Sequence, residues 1–270
     1  MNATAFPTPA TFFRWCVETI DDPAIPFRQN YPQYAAASSS SYLWETYDRR
    51  LADIIQMTRP GLRVLEVGCG IGSDLCWLAL HGARVTGIDV KSEWVAAAAK
   101  LSSRVSLKLD LRRINLLDMP AAQFDLIYMK DTFHHLEPRE AAVEKLASML
   151  APGGAIVIVE PNALNPFIQL KMFSIRGFNT IITKTDTATG EPFTYGNERL
   201  VRGSTIARLF RKAGVDGKAH LFRLVPTALA QNSLIVKAAR TIERRGLDAI
   251  LVPVCIHCVY KGYRLANTQT

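Results

Sequence analysis

The sequence predicts an α/β fold built on a mostly parallel sheet with helices on both faces. Three observations carry the prediction. From Arg63 onward, short apolar runs alternate with amphipathic helical stretches, the pattern of strands joined by crossover helices. A glycine-rich turn, Gly68-Cys69-Gly70-Ile71-Gly72, follows the first of those runs directly. The chain is also large enough for one substantial core with decorations, at 270 residues, 49% hydrophobic and 21% charged.

Residues 1–60 read as an N-terminal helical cap. Thr11 to Asp22 has the spacing of a short amphipathic helix. A second helix, Tyr42 to Met57, places Leu43, Tyr47, Leu51, Ile54 and Ile55 on one stripe and stops at Pro60-Gly61. Residues 61–270 read as the main domain. Its expected strands are Arg63 to Val67, Arg84 to Asp89, Val105 to Leu109, Phe124 to Met129 and Ala155 to Glu160. Helices are expected from the glycine turn to Leu80, from Ser92 to Leu101, and from Glu140 to Leu150 before the stop Ala151-Pro152-Gly153-Gly154.

Residues 161–203 break this rhythm and read as a lid insertion. An apolar segment (Phe167, Ile168, Leu170, Met172, Phe173, Ile175) starts at Asn165-Pro166 and ends at Gly177, and a threonine-rich loop runs from Thr180 to Gly190. A helix at Ser204 to Ala213, a strand at Ala219 to Leu224, a basic helix and a last strand over 251–260 complete the chain.

The formal charge of +8 favours acidic partners: nucleic acid, anionic lipid, or a phosphorylated or carboxylated small molecule. The basic residues are nevertheless dispersed. The densest group, Lys237, Arg240, Arg244 and Arg245, reads as the solvated face of a helix whose core stripe is Leu234, Ile235, Ala238 and Ile242. Five scattered cysteines make no disulfide framework. Cys255 and Cys258, read on a strand, point to opposite faces, and no second CxxC pair completes a zinc site, so no metal is expected. There is no signal-peptide pattern and no run of the roughly 20 apolar residues a spanning helix needs. A cytoplasmic protein is the default, with peripheral membrane contact left open by the apolar segment 167–175. Oligomeric state has no sequence signal.

Glycines at alternate positions after a strand let the backbone turn tightly and approach a ligand, and the following helix offers unpaired N–H groups. Asp89 stands about 20 residues on, at the tip of the second strand, where a carboxylate receives ribose hydroxyls. A dinucleotide fingerprint wants a third glycine where this chain has Ser73; here it comes one place earlier, at Gly72, which departs from the nicotinamide pattern.

Val64-Leu65-Glu66-Val67-Gly68-Cys69-Gly70-Ile71-Gly72 with Gly87-Ile88-Asp89 resembles the first two signature motifs of class I S-adenosylmethionine-dependent methyltransferases, small-molecule branch. The resemblance continues through Asn115-Leu116-Leu117-Asp118-Met119-Pro120, Phe124-Asp125-Leu126-Ile127, Phe133-His134-His135-Leu136, Leu150 to Gly154 and Glu160-Pro161-Asn162. It implies a Rossmann-like seven-stranded sheet of order 3-2-1-4-5-7-6 with strand 7 antiparallel, and S-adenosyl-L-methionine as cofactor. It also implies roles by position. Gly68, Gly70 and Gly72 line the methionyl part, Asp89 holds the ribose, and Val90 packs on adenine. Asn115 replaces the family's usual aspartate at the adenine amino group, Leu116 gives a backbone contact, and Met129 and Lys130 stand where cofactor and acceptor meet. Glu66 either orients the turn or the cofactor's amino group, or simply closes the strand end.

Methyl transfer to a hydroxyl needs a proton acceptor, and histidine suits that near neutral pH. His134, ahead of His135, is the expected base; the alternative is that the pair caps the next short helix, with Asp131 capping it or orienting a histidine. Tyr31, Tyr34, Tyr42, Trp44, Phe167, Met172, Phe173 and Tyr195 are candidates to enclose a small-molecule acceptor, or to pack cap on core. Nucleic-acid methylation is disfavoured: Lys130-Asp131-Thr132-Phe133 is not the Asn/Asp-Pro-Pro-Tyr/Phe motif, and no Pro-Cys nucleophile lies near that strand. A cofactor-binding accessory protein without chemistry stays open.

Overall fold

The computed structural model describes residues 3–36, 39–185, 190, 192–247 and 250–265. Among the described residues five α-helices precede the sheet: α1 (Pro9–Thr19), α2 (Phe27–Asn30), α3 (Pro32–Ala36), α4 (Ser41–Arg50) and α5 (Ala52–Met57). Thr8 starts α1 with a capping box, and Pro9 sits in its first turn, where a missing N–H costs nothing. The single helix expected over Tyr42–Met57 divides at Leu51, which leaves helical geometry at φ −109°, ψ 9°. Leu51 stays buried, so tertiary packing sets this break rather than any local stop signal.

Five parallel strands follow: β1 (Arg63–Val67), β2 (Arg84–Asp89), β3 (Asp110–Arg113), β4 (Phe124–Lys130) and β5 (Leu150–Pro161). Helices α6 (Ser73–Leu80), α7 (Ser92–Arg104) and α8 (Arg139–Met149) make the crossovers. After the insertion come α10 (Gly203–Lys212), β8 (Val215–Phe222), α11 (Ser233–Arg244) and β9 (His257–Arg264). The insertion itself holds α9 (Pro166–Arg176) and the hairpin β6 (Ile181–Thr185) and β7 (Pro192–Gly196). The sheet order is β3-β2-β1-β4-β5-β9-β8, with β9 antiparallel to both neighbours. With the hairpin set aside, this is the predicted order, and its last strand is the predicted antiparallel one.

Three strand expectations shift. The apolar run Val105–Leu109 is not a strand: Val105 closes α7, its N–H bonded back to Leu101 and Ser102, and the more polar Asp110–Arg113 pairs with β2. That strand is the sheet edge, where polar side chains are tolerated. The expected strand 251–260 begins only at His257, because Pro253 lies in a short 3-10 turn and has no N–H for a ladder. Its partner runs Val215–Phe222 rather than 219–224. Of the loop expected over Thr180–Gly190, Ile181–Thr185 pairs with Pro192–Gly196, and residues 186–189 lie outside the described residues.

Two cores flank the sheet. One joins the first helices to α6 and α7, with Phe12, Phe13, Tyr47, Leu75 and Trp77. The other lies under α8 and α10, with Leu146, Ile156, Ile206 and Phe210. Each fully buried Phe or Leu side chain contributes roughly 1.5–3 kcal/mol. Helix α11 corrects the predicted stripe. Leu234 is 78% exposed and Ile235 and Ala238 also face solvent, while Ala239 is buried and Val236 packs against the core.

Candidate active site

The carboxyl ends of β1, β2, β4, β5 and β8 and the start of β9 meet along one edge of the sheet, and a cavity of about 590 Å³ opens there. That size suits a small-molecule ligand. The turn after β1 is tied to β2 by Gly68 and Cys69 N–H groups donating to the Ile88 carbonyl at 2.8 and 3.1 Å. Gly70 has φ +52°, and a Cβ built on it meets no atom within 4 Å, so this backbone faces open cavity. Gly72 has φ +75° and lies so near α7 that a Cβ would sit 2.9 Å from that of Ala98.

Asp89 Oδ2 accepts from Gly70 N–H at 3.1 Å and Oδ1 from Lys91 N–H at 3.0 Å. A carboxylate offers about four acceptor positions, so about two remain. Burial pushes its pKa up, against the pull of those backbone donors. Glu66 is buried, and its Oε2 has no hydrogen-bond partner among the described residues. Burial and the neighbouring Asp74 charge hold its pKa well above the usual carboxylate range.

Of the residues singled out by sequence, Glu66, Gly68, Gly70, Gly72, Asp89, Val90, Asn115, Leu116, Lys130 and His135 all line the cavity. Met129 and His134 do not. Met129 is fully buried in the second core, because side chains alternate along β4 and its neighbour Lys130 takes the other face. Lys130 is already engaged. Its ammonium contacts Asp74, which also accepts from Tyr47 at 2.8 Å and Tyr128 at 2.7 Å. Burial opposes charge on both partners, but their mutual attraction outweighs it, raising the Lys130 pKa and lowering that of Asp74. Asn115 caps the short turn Leu116–Asp118, its Oδ1 accepting from Leu117 N–H at 3.1 Å.

The histidine pair divides its roles in a way the motif alone did not disclose. His134 is buried, with Nδ1 2.5 Å from Glu160 and Nε2 3.5 Å from Glu198. Burial disfavours its charge, but the two carboxylates prevail and push its pKa up to about 10. At neutral pH it is an imidazolium with neither nitrogen free, so the preference for His134 as base is corrected. His135 is the opposite case: burial, then the adjacent His134 charge, push it down to about 4. Its Nδ1 lies 2.7 Å from the Gly196 carbonyl. A carbonyl only accepts, so Nδ1 carries the proton and Nε2 keeps its lone pair. Tyr195 stacks on the ring with centroids 4.5 Å apart. His134, His135 and Glu198 also bring ligating atoms within 4.8 Å of one another.

Glu160, in the segment Glu160-Pro161-Asn162, has a role that the sequence does not disclose. Fully buried, it accepts from Thr132 N–H at 3.0 Å, Phe133 N–H at 2.7 Å and His134. It therefore caps the Phe133–His135 turn, the role expected of Asp131. Asp131 instead pairs with Arg50 at 2.7 Å. Among the aromatic candidates, Tyr31, Tyr34 and Tyr195 line the cavity. Tyr42 and Trp44 are buried in the first core, and Phe167 and Phe173 are exposed on α9.

S-adenosylmethionine presents a ribose diol, an ammonium and a flat purine. The residues fit these groups: spare lone pairs on Asp89, the unpartnered Glu66 Oε2, and an apolar wall of Ile88, Val90, Ile114 and Leu116. Fold and site together define the class of Rossmann-like proteins that bind an adenosyl ligand at the carboxyl edge of the sheet. Residues 65–158 match the family model described as a methyltransferase domain. It is 33% identical over 133 residues to the S-adenosyl-L-methionine-dependent Diels-Alderase iccD of Talaromyces variabilis, covering 43% of this chain and 45% of that protein. It is 36% identical over 102 residues to a ubiquinone biosynthesis O-methyltransferase of Xanthomonas campestris, covering 37% of this chain and 43% of that one. The chain thus spans less than half the length of these two relatives. A solved SAM-dependent methyltransferase from Archaeoglobus fulgidus shares the fold, with a TM-score of 0.57 at 14% identity over 90% of this chain and all of that one.

Proposed function

We propose that this protein is an S-adenosylmethionine-dependent methyltransferase acting on a small-molecule acceptor, by O-methylation, with 1–60 as cap, 61–270 as catalytic domain and 161–203 as lid. The observation that carries the reading is the pairing of Asp89 with the open Gly70 backbone on a cavity walled by both cap and lid residues. When bound, the cofactor supplies a methyl group already activated on a sulfonium. What remains for the chain is to bind, align and exclude water. Asp89 accepts the ribose hydroxyls, Glu66 the ammonium, and the Ile88–Leu116 wall packs on the purine. Tyr31 and Tyr34 from the cap and Phe193 and Tyr195 from the hairpin shelter the acceptor.

His135 Nε2 takes the acceptor's proton. A base pushed down to about 4 is weak, yet sufficient. An oxygen that gains a methyl group before losing its proton becomes strongly acidic, and His135 is neutral throughout the physiological range. His134, held charged by Glu160, is a positioning residue. The burial of all five cysteines, none in a disulfide among the described residues, supports a reducing compartment, the cytoplasm. The exposed Phe167, Leu170 and Phe178 of the lid support peripheral contact with a lipid surface, and among the described residues no helix is long and apolar enough to cross a membrane.

Calorimetric titration with S-adenosylhomocysteine, followed by an acceptor screen with methyl-labelled cofactor, tests this reading. Label transfer to a small molecule, abolished by Asp89→Ala, is the expected result; NADH binding in place of S-adenosylhomocysteine would refute it. The Diels-Alderase relative favours a second reading, in which the cofactor is bound and not consumed. Product formation without conversion to S-adenosylhomocysteine would distinguish it.

A further inference from the structure

The end of the cavity nearest β8 and β9 holds a group of donors that cofactor binding leaves unused. Arg223, directly after β8, is 2% exposed and lines the cavity. It donates to the Val225 carbonyl at 2.8 Å, to Thr227 Oγ1 at 2.8 Å and to His257 Nε2 at 3.3 Å, and to no carboxylate among the described residues. Glu243, whose charge bears on it, already accepts from Arg49, Tyr42 and the Leu224 N–H. A guanidinium only donates, so His257 Nε2 accepts and Nδ1 carries the proton. That Nδ1–H is buried and has no partner among the described residues. Arg50 brings a second buried guanidinium to the same wall; its terminal nitrogens donate to Asp131 at 2.7 Å and Tyr34 at 3.4 Å, while Nε is buried without a partner among the described residues.

An unpaired buried guanidinium is costly, because the lost hydration is not returned by a counter-charge. Here Arg223 lines the cavity with no carboxylate partner among the described residues, His257 stands beside it, and the missing element is an anion. We propose that this wall is an oxyanion subsite, in which Arg223 and His257 Nδ1–H, in the field of Arg50, hold a carboxylate or phosphate carried by the methyl acceptor. The sheet order separates it from the adenosine end. From β2, which bears Asp89, to β9 is four strand spacings, roughly 19 Å, and to β8 roughly 24 Å. The same wall lies beside β5, whose end holds His134 through Glu160. Assigning the anion to the acceptor rests on the transferase reading; the anion site itself does not.

The test loads the protein with S-adenosylhomocysteine and titrates inorganic phosphate, benzoate and, as an uncharged control, benzyl alcohol, in wild type, Arg223→Met and His257→Phe. The expected result is binding of at least one anion and not of the alcohol. Phosphate in preference to benzoate, or the reverse, identifies the acceptor's group. Arg223→Met weakens that binding about ten- to hundredfold, while affinity for S-adenosylhomocysteine changes less than twofold. The proposal is overturned if neither anion binds at millimolar concentration, if both variants bind as wild type does, or if the anion binds the free protein and not the protein loaded with S-adenosylhomocysteine. That last outcome would give the wall to the cofactor's own carboxylate. Loss of S-adenosylhomocysteine binding in the wild type would instead refute the transferase reading and leave the anion titration of the free protein to stand.

Discussion

Replacing Glu160 with glutamine removes one charge, leaves the shape unchanged and has a calculable consequence. In the folded protein the His134 pKa stands at about 10 against an ordinary 6.5. The difference of about 3.5 units is worth about 5 kcal/mol of stability at low pH, of which about 4 kcal/mol survives at pH 7. The figure agrees with the roughly 3–5 kcal/mol lost when one partner of a buried ion pair is removed. Because the folded pKa is the higher one, the stabilisation is complete below about pH 6.5 and disappears as pH rises through 10. Denaturant unfolding of wild type and Glu160→Gln at half-unit steps from pH 6 to 10.5 isolates this group, since other titrations are common to both. The wild type should lose about 3–4 kcal/mol more than the variant between pH 7 and pH 10. Two parallel profiles would refute the assignment of His134 as an imidazolium held by Glu160.

Three further outcomes follow from the same geometry. Asp89→Ala should weaken S-adenosylhomocysteine binding by about a hundredfold or more, since hydrogen bonds to a charged acceptor are worth about 1.5–3 kcal/mol each; calorimetry reads this directly. His135→Ala should lower kcat by about 10²–10⁴ with cofactor affinity unchanged, and a single-turnover assay with the acceptor found in the screen checks it. Gly72→Ala places a Cβ 2.9 Å from Ala98 at φ +75°. The left-handed conformation alone costs about 1–2 kcal/mol, so the melting temperature should fall by several degrees in a thermal scan.

The parallel sheet was legible in the sequence because its central strands are buried on both faces and their apolar runs are continuous. The edge strand was misplaced for the same reason: Val105–Leu109 is apolar because it closes α7, whereas Asp110–Arg113 is polar because it lies at the rim. Within the site, the glycine turn and Asp89 were legible because local backbone geometry specifies them. Bringing Glu160, Glu198 and Gly196 to the two histidines requires β5, the insertion and β7 to be folded together.

What the chain's order of residues determined alone was the strand–turn–helix unit around Gly68–Gly72, the carboxylate 17 residues after Gly72 at Asp89, and through them the kind of ligand the sheet edge accepts. Those features depend on φ, on hydrogen bonds to near neighbours and on strand alternation, all of which act over short stretches of chain. Tertiary structure alone decided which histidine is charged and which is neutral, and that Arg223 and His257 line the cavity without an acidic partner among the described residues. Protonation and desolvation depend on groups tens to hundreds of residues apart in the chain, and only folding brings these together.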